Sequence, residues 1–135
     1  MPQLVEPYYV DVERLLVSWL SQIITARLCT DLPSNLATVL PVVQVARVGG
    51  ADDVTPIDRP LVDIDCYAAG RVAAYDLAQQ VRDALRFELP GLTWSGAYVA
   101  RVDTLSGPMW RPYDNTTLRR FGASYQLTTQ KGVNP

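Results

Sequence analysis

A chain of 135 residues, 48% of them apolar and 19% charged, suits one domain able to bury its own core, and its charge lies below the roughly 25% usual in soluble domains. Twelve basic and fourteen acidic residues leave a net charge of −2, which lacks the basic excess that grips phosphates and argues against sequence-wide nucleic-acid binding. There is no histidine, which excludes Ser/His and Cys/His nucleophile pairs, His-containing zinc sites and imidazole acid–base chemistry.

Residues 1–10 read as an extended leader held by Pro2 and Pro7. They carry no basic stretch followed by an apolar run, and nowhere do 18 or more apolar residues follow one another. The expectation is a soluble protein without a membrane partner, made in a reducing compartment, with Cys29 and Cys66 as buried thiols rather than a disulfide framework. From Asp11 to Leu28, Val12, Leu15, Leu16, Trp19, Leu20, Ile23, Ile24 and Arg27 keep to one helical face. Asp11 is placed to cap that helix, and Asp31, Leu32 and Pro33 close the segment.

The Val-rich stretch Thr38 to Val48 predicts a strand ended by Gly49 and Gly50. Gly49 to Pro60 has the composition of a long protruding hairpin loop. Arg59 to Tyr67 alternates, with Val62, Ile64 and Cys66 on one face and Asp63 and Asp65 on the other. After Gly70, the spacing of Ala74, Leu77, Ala78, Val81, Ala84 and Leu85 predicts a second helix, stopped by Pro90 and Gly91. Thr93 to Thr104 predicts a third strand with Tyr98, Ala100 and Val102 on one face, Ser106 to Asn115 a linker, and Arg119 to Thr129 a last strand. Residues 130–135 read as a loose tail.

The expected fold is a single α+β domain over 1–135, in the order helix-strand-strand-helix-strand-strand. Its four-stranded, mainly antiparallel sheet carries two helices packed on one face. Val62, Ile64, Tyr98, Val102, Phe121, Tyr125 and Leu127 would pack on Leu16, Trp19, Leu20, Leu77 and Val81. The other face would be polar, showing Asp63, Asp65, Arg101, Asp103 and Arg120 with free strand edges and no third layer.

Asp63 and Asp65 share a face about 7 Å apart, a spacing that can hold a divalent metal. A small metal-dependent phosphodiesterase is therefore one reading of the pair. An ion-paired face is the favoured one, because Arg101 or Arg120 would neutralise the carboxylates and no third ligand is evident. Gly49 and Gly50 lack the Lys and Ser/Thr of a phosphate loop, and Asp52 and Asp53 behind them would repel phosphate. Ser95, Ser106 and Ser124 have no histidine to activate them, so no catalytic, metal or cofactor residue is assigned. Candidate contacts to partners are Asp52, Asp53, Asp58 and Arg59 in the hairpin, and Trp110, Arg111 and Tyr113 in the linker, since Trp, Arg and Tyr concentrate binding energy.

The run Arg59-Pro60-Leu61-Val62-Asp63-Ile64-Asp65-Cys66-Tyr67-Ala68-Ala69-Gly70-Arg71-Val72-Ala73-Ala74, followed by Leu77, Ala78, Val81 and Leu85, resembles the tail-terminator (tail-completion) proteins of long-tailed bacteriophages. In that family a strand of alternating Val and Asp passes through a small turn and a basic residue into an Ala-rich helix. Where the family commonly has Thr before the basic residue, this chain has Gly70. The similarity spans Pro41 to Leu85, and the element order covers nearly all of the chain. The resemblance implies a non-enzymatic virion protein, without cofactors, assembled in the host bacterial cytoplasm. It would form a ring, usually hexameric, on the head-proximal end of the tail tube, stop tube polymerisation and receive the head connector. Its partners would be itself, the tail tube protein and a connector or stopper protein, with DNA passing through unread. An adaptor or stopper of the head-to-tail connector is the neighbouring alternative.

Overall fold

In the computed structural model, which describes residues 9–54 and 56–131, Asp11 caps helix α1 (Val12–Leu20) by accepting the Arg14 amide at 3.2 Å. Most of the predicted leader and the last four residues lie outside the described residues. Val12, Leu15, Leu16, Trp19 and Leu20 form the buried stripe that the spacing predicts. The helix stops at Leu20, not Leu28. The β-branched run Ile23-Ile24-Thr25 favours extended backbone, and Arg27–Cys29 become a short strand, β1, parallel to Val42–Gln44.

The remaining elements are β2 (Val42–Asp52), β3 (Ile57–Ala68), α2 (Arg71–Asp83) continued by a π turn over Ala84–Glu88, β4 (Thr93–Trp94), β5 (Ala97–Trp110) and β6 (Arg119–Lys131). They build a six-stranded sheet in the order β1-β2-β3-β6-β5-β4, antiparallel at every pairing except β1 with β2. The expected α+β class and the two helices are present, and β2, β3, β5 and β6 answer to the four predicted strands. The four-stranded sheet itself is corrected to six strands of mixed direction. The additional strands are only three and two residues long, too short for any periodicity to reveal.

Strand ends also move, and β6 runs on to Lys131, so the first two residues of the expected loose tail, Gln130 and Lys131, are paired strand. The predicted long loop from Gly49 to Pro60 is mostly strand, because Gly50, at φ +88°, lets β2 pass through a bulge between Arg47 and Gly49 and continue to Asp52. A Cβ on Gly50 would lie 2.7 Å from the Leu61 nitrogen. Thr93 to Thr104 is broken at Ser95 and Gly96, whose φ values of 51° and 75° form a two-residue hairpin turn between β4 and β5. The predicted linker begins as strand, since irregular pairing between Ser106 and Met109 accommodates Pro108 inside β5. A further bulge between Val99 and Arg101 changes the phase of β5, so Ala97, Val99 and Val102 are buried while Tyr98, expected in the core, is exposed.

Both helices pack on one face, over Val43, Val45, Val62, Ile64, Cys66, Phe121, Ala123, Tyr125 and Leu127. The Trp94 indole N–H donates to Ser18 Oγ at 2.7 Å and ties the β4 edge to α1. The opposite face is not bare throughout. At one end Leu36, in the 3-10 turn Leu36–Thr38, covers Val42, Tyr67 and Leu118 in a second small core, so the expectation of no third layer fails there.

Candidate assembly surface

Strand alternation in β3 sends Val62, Ile64 and Cys66 into the core and therefore Asp63 and Asp65 to the opposite face. Register places Ser124 beside Asp63 and Gly122 beside Asp65. Ser124 Oγ donates to Asp63 Oδ1 at 2.6 Å. Gly122 leaves a gap: a Cβ there would meet Asp65 Oδ1 and stand 2.6 Å from Arg111 Cζ. Through that gap Arg111, just past the end of β5, reaches Asp65 Oδ1 at 3.1 Å and lies 4.0 Å from Asp63 Oδ2. The ion pair is thus made by Arg111 rather than by the expected Arg101 or Arg120, although Arg120 adds to the pull on Asp65. Burial pushes the Asp65 carboxyl above its usual range, outweighing the pull of Arg111 and Arg120. A cation at this pair would have to displace a guanidinium, and no third His, Cys, Asp or Glu joins it among the described residues. Burial also raises the Cys66 thiol, which keeps it protonated.

The other candidate face residues separate from this cluster. Arg101 Nε donates to Asp103 Oδ1 at 2.8 Å in an exposed pair on β5. Arg120 donates to the Pro112 carbonyl at 2.9 Å and lies 5.1 Å from the centroid of the Tyr113 ring, whose edge packs against Tyr67. Trp110 is half-buried, with the Arg71 guanidinium 4.6 Å from its ring centroid and its ring packed edge-on to Phe121. Trp110, Arg111 and Tyr113 therefore form a folded corner rather than a projecting loop. The chain reversal after β5 is what brings their side chains back onto the sheet.

The hairpin divides in two. Asp58 is 3% exposed and takes a bidentate pair from Arg47, Nη1 at 2.8 Å and Nη2 at 3.1 Å. Arg47 also donates to the Gly49 carbonyl, while its backbone N–H donates to Glu13 Oε2 at 2.8 Å. Asp58 thus braces the hairpin and has no carboxylate to offer a partner. Asp52 and Asp53 stay exposed, the latter 3.2 Å from an equally open Arg59.

These residues line a sheet face, a corner and a hairpin. A family profile described as phage tail termination protein matches residues 8–132. The chain belongs to that family. A chain in a solved structure titled virion of native gene transfer agent particle shares the fold of this tail terminator-family protein at a TM-score of 0.64 and 17% identity, with 88% of this chain and 94% of that one covered. No curated protein matches the chain. Membership makes it a structural protein of the phage tail and a component of the virion. No helix among the described residues is long and apolar enough to cross a membrane.

Two residues of this family member's surface escape a reading of the sequence. Arg47 has the pattern of an ordinary strand residue, and its link to Asp58 arises only when β2 pairs with β3. Gly122 carries a usable signal: a glycine inside an alternating strand marks a close approach by another group.

Proposed function

We propose that this protein assembles into a ring, of hexameric type, on the head-proximal end of the tail tube. There it stops tube polymerisation and presents a surface to the head connector, while DNA passes through without specific binding. The observation that carries this reading is the termination-family match over residues 8–132. The geometry supports it: the carboxylates that offered a metal site are committed to Arg111 and Ser124, and the exposed features include strand edges and a hairpin bearing Asp52 and Asp53, which suit contact between proteins. Asp52, Asp53 and Arg59 are the accessible candidates for contacts with neighbouring subunits, tube or connector. Trp110, Arg111 and Tyr113 would contribute as a preformed corner. An acidic balance also suits a DNA conduit, since like charge disfavours sticking to the wall.

Deleting the gene from its phage is the test. Tails of uncontrolled length that fail to join heads are expected, whereas normal tails on filled heads would overturn the assignment. Tails from a mutant lacking heads should still carry the protein; its loss from such tails would make it an adaptor or stopper.

A further inference from the structure

The sheet has two incompletely covered edges, and they differ in charge. On one side β1 pairs only with Val42–Gln44 of β2. From Val48 to Asp52 the outer edge of β2 has no strand partner among the described residues, and it ends in exposed Asp52 and Asp53, with Val48 57% and Val54 73% exposed. On the other side β4 pairs only with Ala97 and Tyr98 of β5. Beyond that point α2 and its π turn lay Arg82, Arg86 and Phe87 along β5. Arg86 donates to the Val102 carbonyl, and the Arg82 guanidinium stands beside Gly107. A cleft of about 300 Å³ is lined there by Gln79, Arg82, Asp83, Arg86 and Phe87. Neither arginine makes an ion pair among the described residues. Phe87, 80% exposed, is the most exposed large apolar side chain described.

With Arg59 counted beside Asp52 and Asp53, and Asp83 beside Arg82 and Arg86, the first rim keeps a net negative and the second a net positive charge, so the two partly apolar rims on opposite edges of one sheet fit each other but not themselves. A contact between unlike patches of identical chains is heterologous and repeats from copy to copy, which closes a ring when the rotation is right. A self-complementary contact would instead give a closed dimer.

We propose that the Asp52–Asp53 end of β2 in one copy docks on the Arg82–Arg86–Phe87 cleft of a second copy of this chain. The proposal rests on the ring reading above and supplies its subunit interface. The acids meet the guanidinium groups, and Val48 and Val54 meet the Phe87 ring. A close interfacial charge pair steers encounter and fixes register, and its loss weakens binding by about tenfold or more.

The test compares full-length wild type, Asp52→Lys/Asp53→Lys, Arg82→Glu and the combined charge swap by sedimentation, free and on isolated tail tubes. Each single-sided reversal should weaken subunit association at least about tenfold, and the swap should restore it. Phe87→Ser, at an exposed site, should weaken association without altering the melting temperature. If Arg82→Glu fails to fold, Phe87→Ser and the acidic reversal decide the question between them. The proposal is overturned if the reversals associate like wild type, if the swap restores nothing, or if the oligomer is a closed dimer. It is also overturned if the acidic reversal forms rings that no longer seat on tubes, since the hairpin then faces the tube. Wild type that forms no oligomer, either free or on tubes, would instead sink the ring itself.

Discussion

Replacing Gly122 with alanine tests whether the Arg111–Asp65 bridge organises the polar sheet face. The added methyl would collide with Asp65 Oδ1 and lie 2.6 Å from Arg111 Cζ and Nε, so the guanidinium must leave. The side chains are 27% and 17% exposed. Stranding one partner of a fully buried pair costs ~3–5 kcal/mol, while an exposed pair contributes only ~0–1 kcal/mol. A pair of this burial falls between, near ~2 kcal/mol. Alanine in place of glycine, where φ is not left-handed, returns ~0.4–1 kcal/mol through the unfolded chain. The net destabilisation is about 1–2 kcal/mol, or a fall of about 3–8 °C in melting temperature for a chain of this size.

The pH dependence adds an independent check. Burial already raises the Asp65 carboxyl above its usual range, so the charged form disfavours the fold above that raised value and the penalty vanishes below the ordinary carboxylate range. Displacing Arg111 raises it further. The cost of Gly122→Ala should therefore be greatest at neutral pH and shrink as pH falls through the carboxylate range. Urea unfolding at neutral pH and at about pH 4 measures both effects. In an Arg111→Met background the substitution should cost about 1 kcal/mol less. A variant as stable as wild type at neutral pH, or one whose deficit grows on acidification, would refute the bridge.

Gly70 sits at the N-cap of α2 in extended backbone (φ −125°, ψ 157°) without a side-chain cap, and nothing lies within 4 Å of a Cβ there. Gly70→Ser should therefore stabilise the protein by about 0.5–1 kcal/mol in urea unfolding, and a loss of stability would mean that the helix begins elsewhere. Asp58→Ala should cost about 2 kcal/mol, because it strands Arg47, itself a third exposed, where a carboxylate only 3% exposed now receives it. Arg47→Met/Asp58→Ala should recover part of that cost in the same urea titration, and additive losses would count against the pair.

How far the sequence can be read differs from element to element. The stripe from Val12 to Leu20, the Asp11 cap, the alternation of Val62, Ile64 and Cys66 against Asp63 and Asp65, and the α2 face are all legible. Each is written in spacings of a few residues, and backbone geometry converts those spacings directly into faces. The resemblance carried by Arg59 to Ala74 likewise points to the family that the match over residues 8–132 shows.

Other features depend on groups far apart in the chain, and local spacing is silent about them. Whether Arg27–Cys29 extends the helix or joins β2 is decided by the strand waiting at Val42. The bulges after Arg47 and after Val99 shift the pairing by a residue, and the latter decides which of Tyr98 and Val99 is buried. Asp65 acquires Arg111 across 46 residues only because Gly122 leaves room between them. The pattern of apolar and polar residues determined which side of each element faces inward, since that choice is repaid by burial within a few residues. Which charges meet, and which edges stay open, was decided by tertiary structure, because an ion pair or a free edge is a property of neighbours that the chain brings together only on folding.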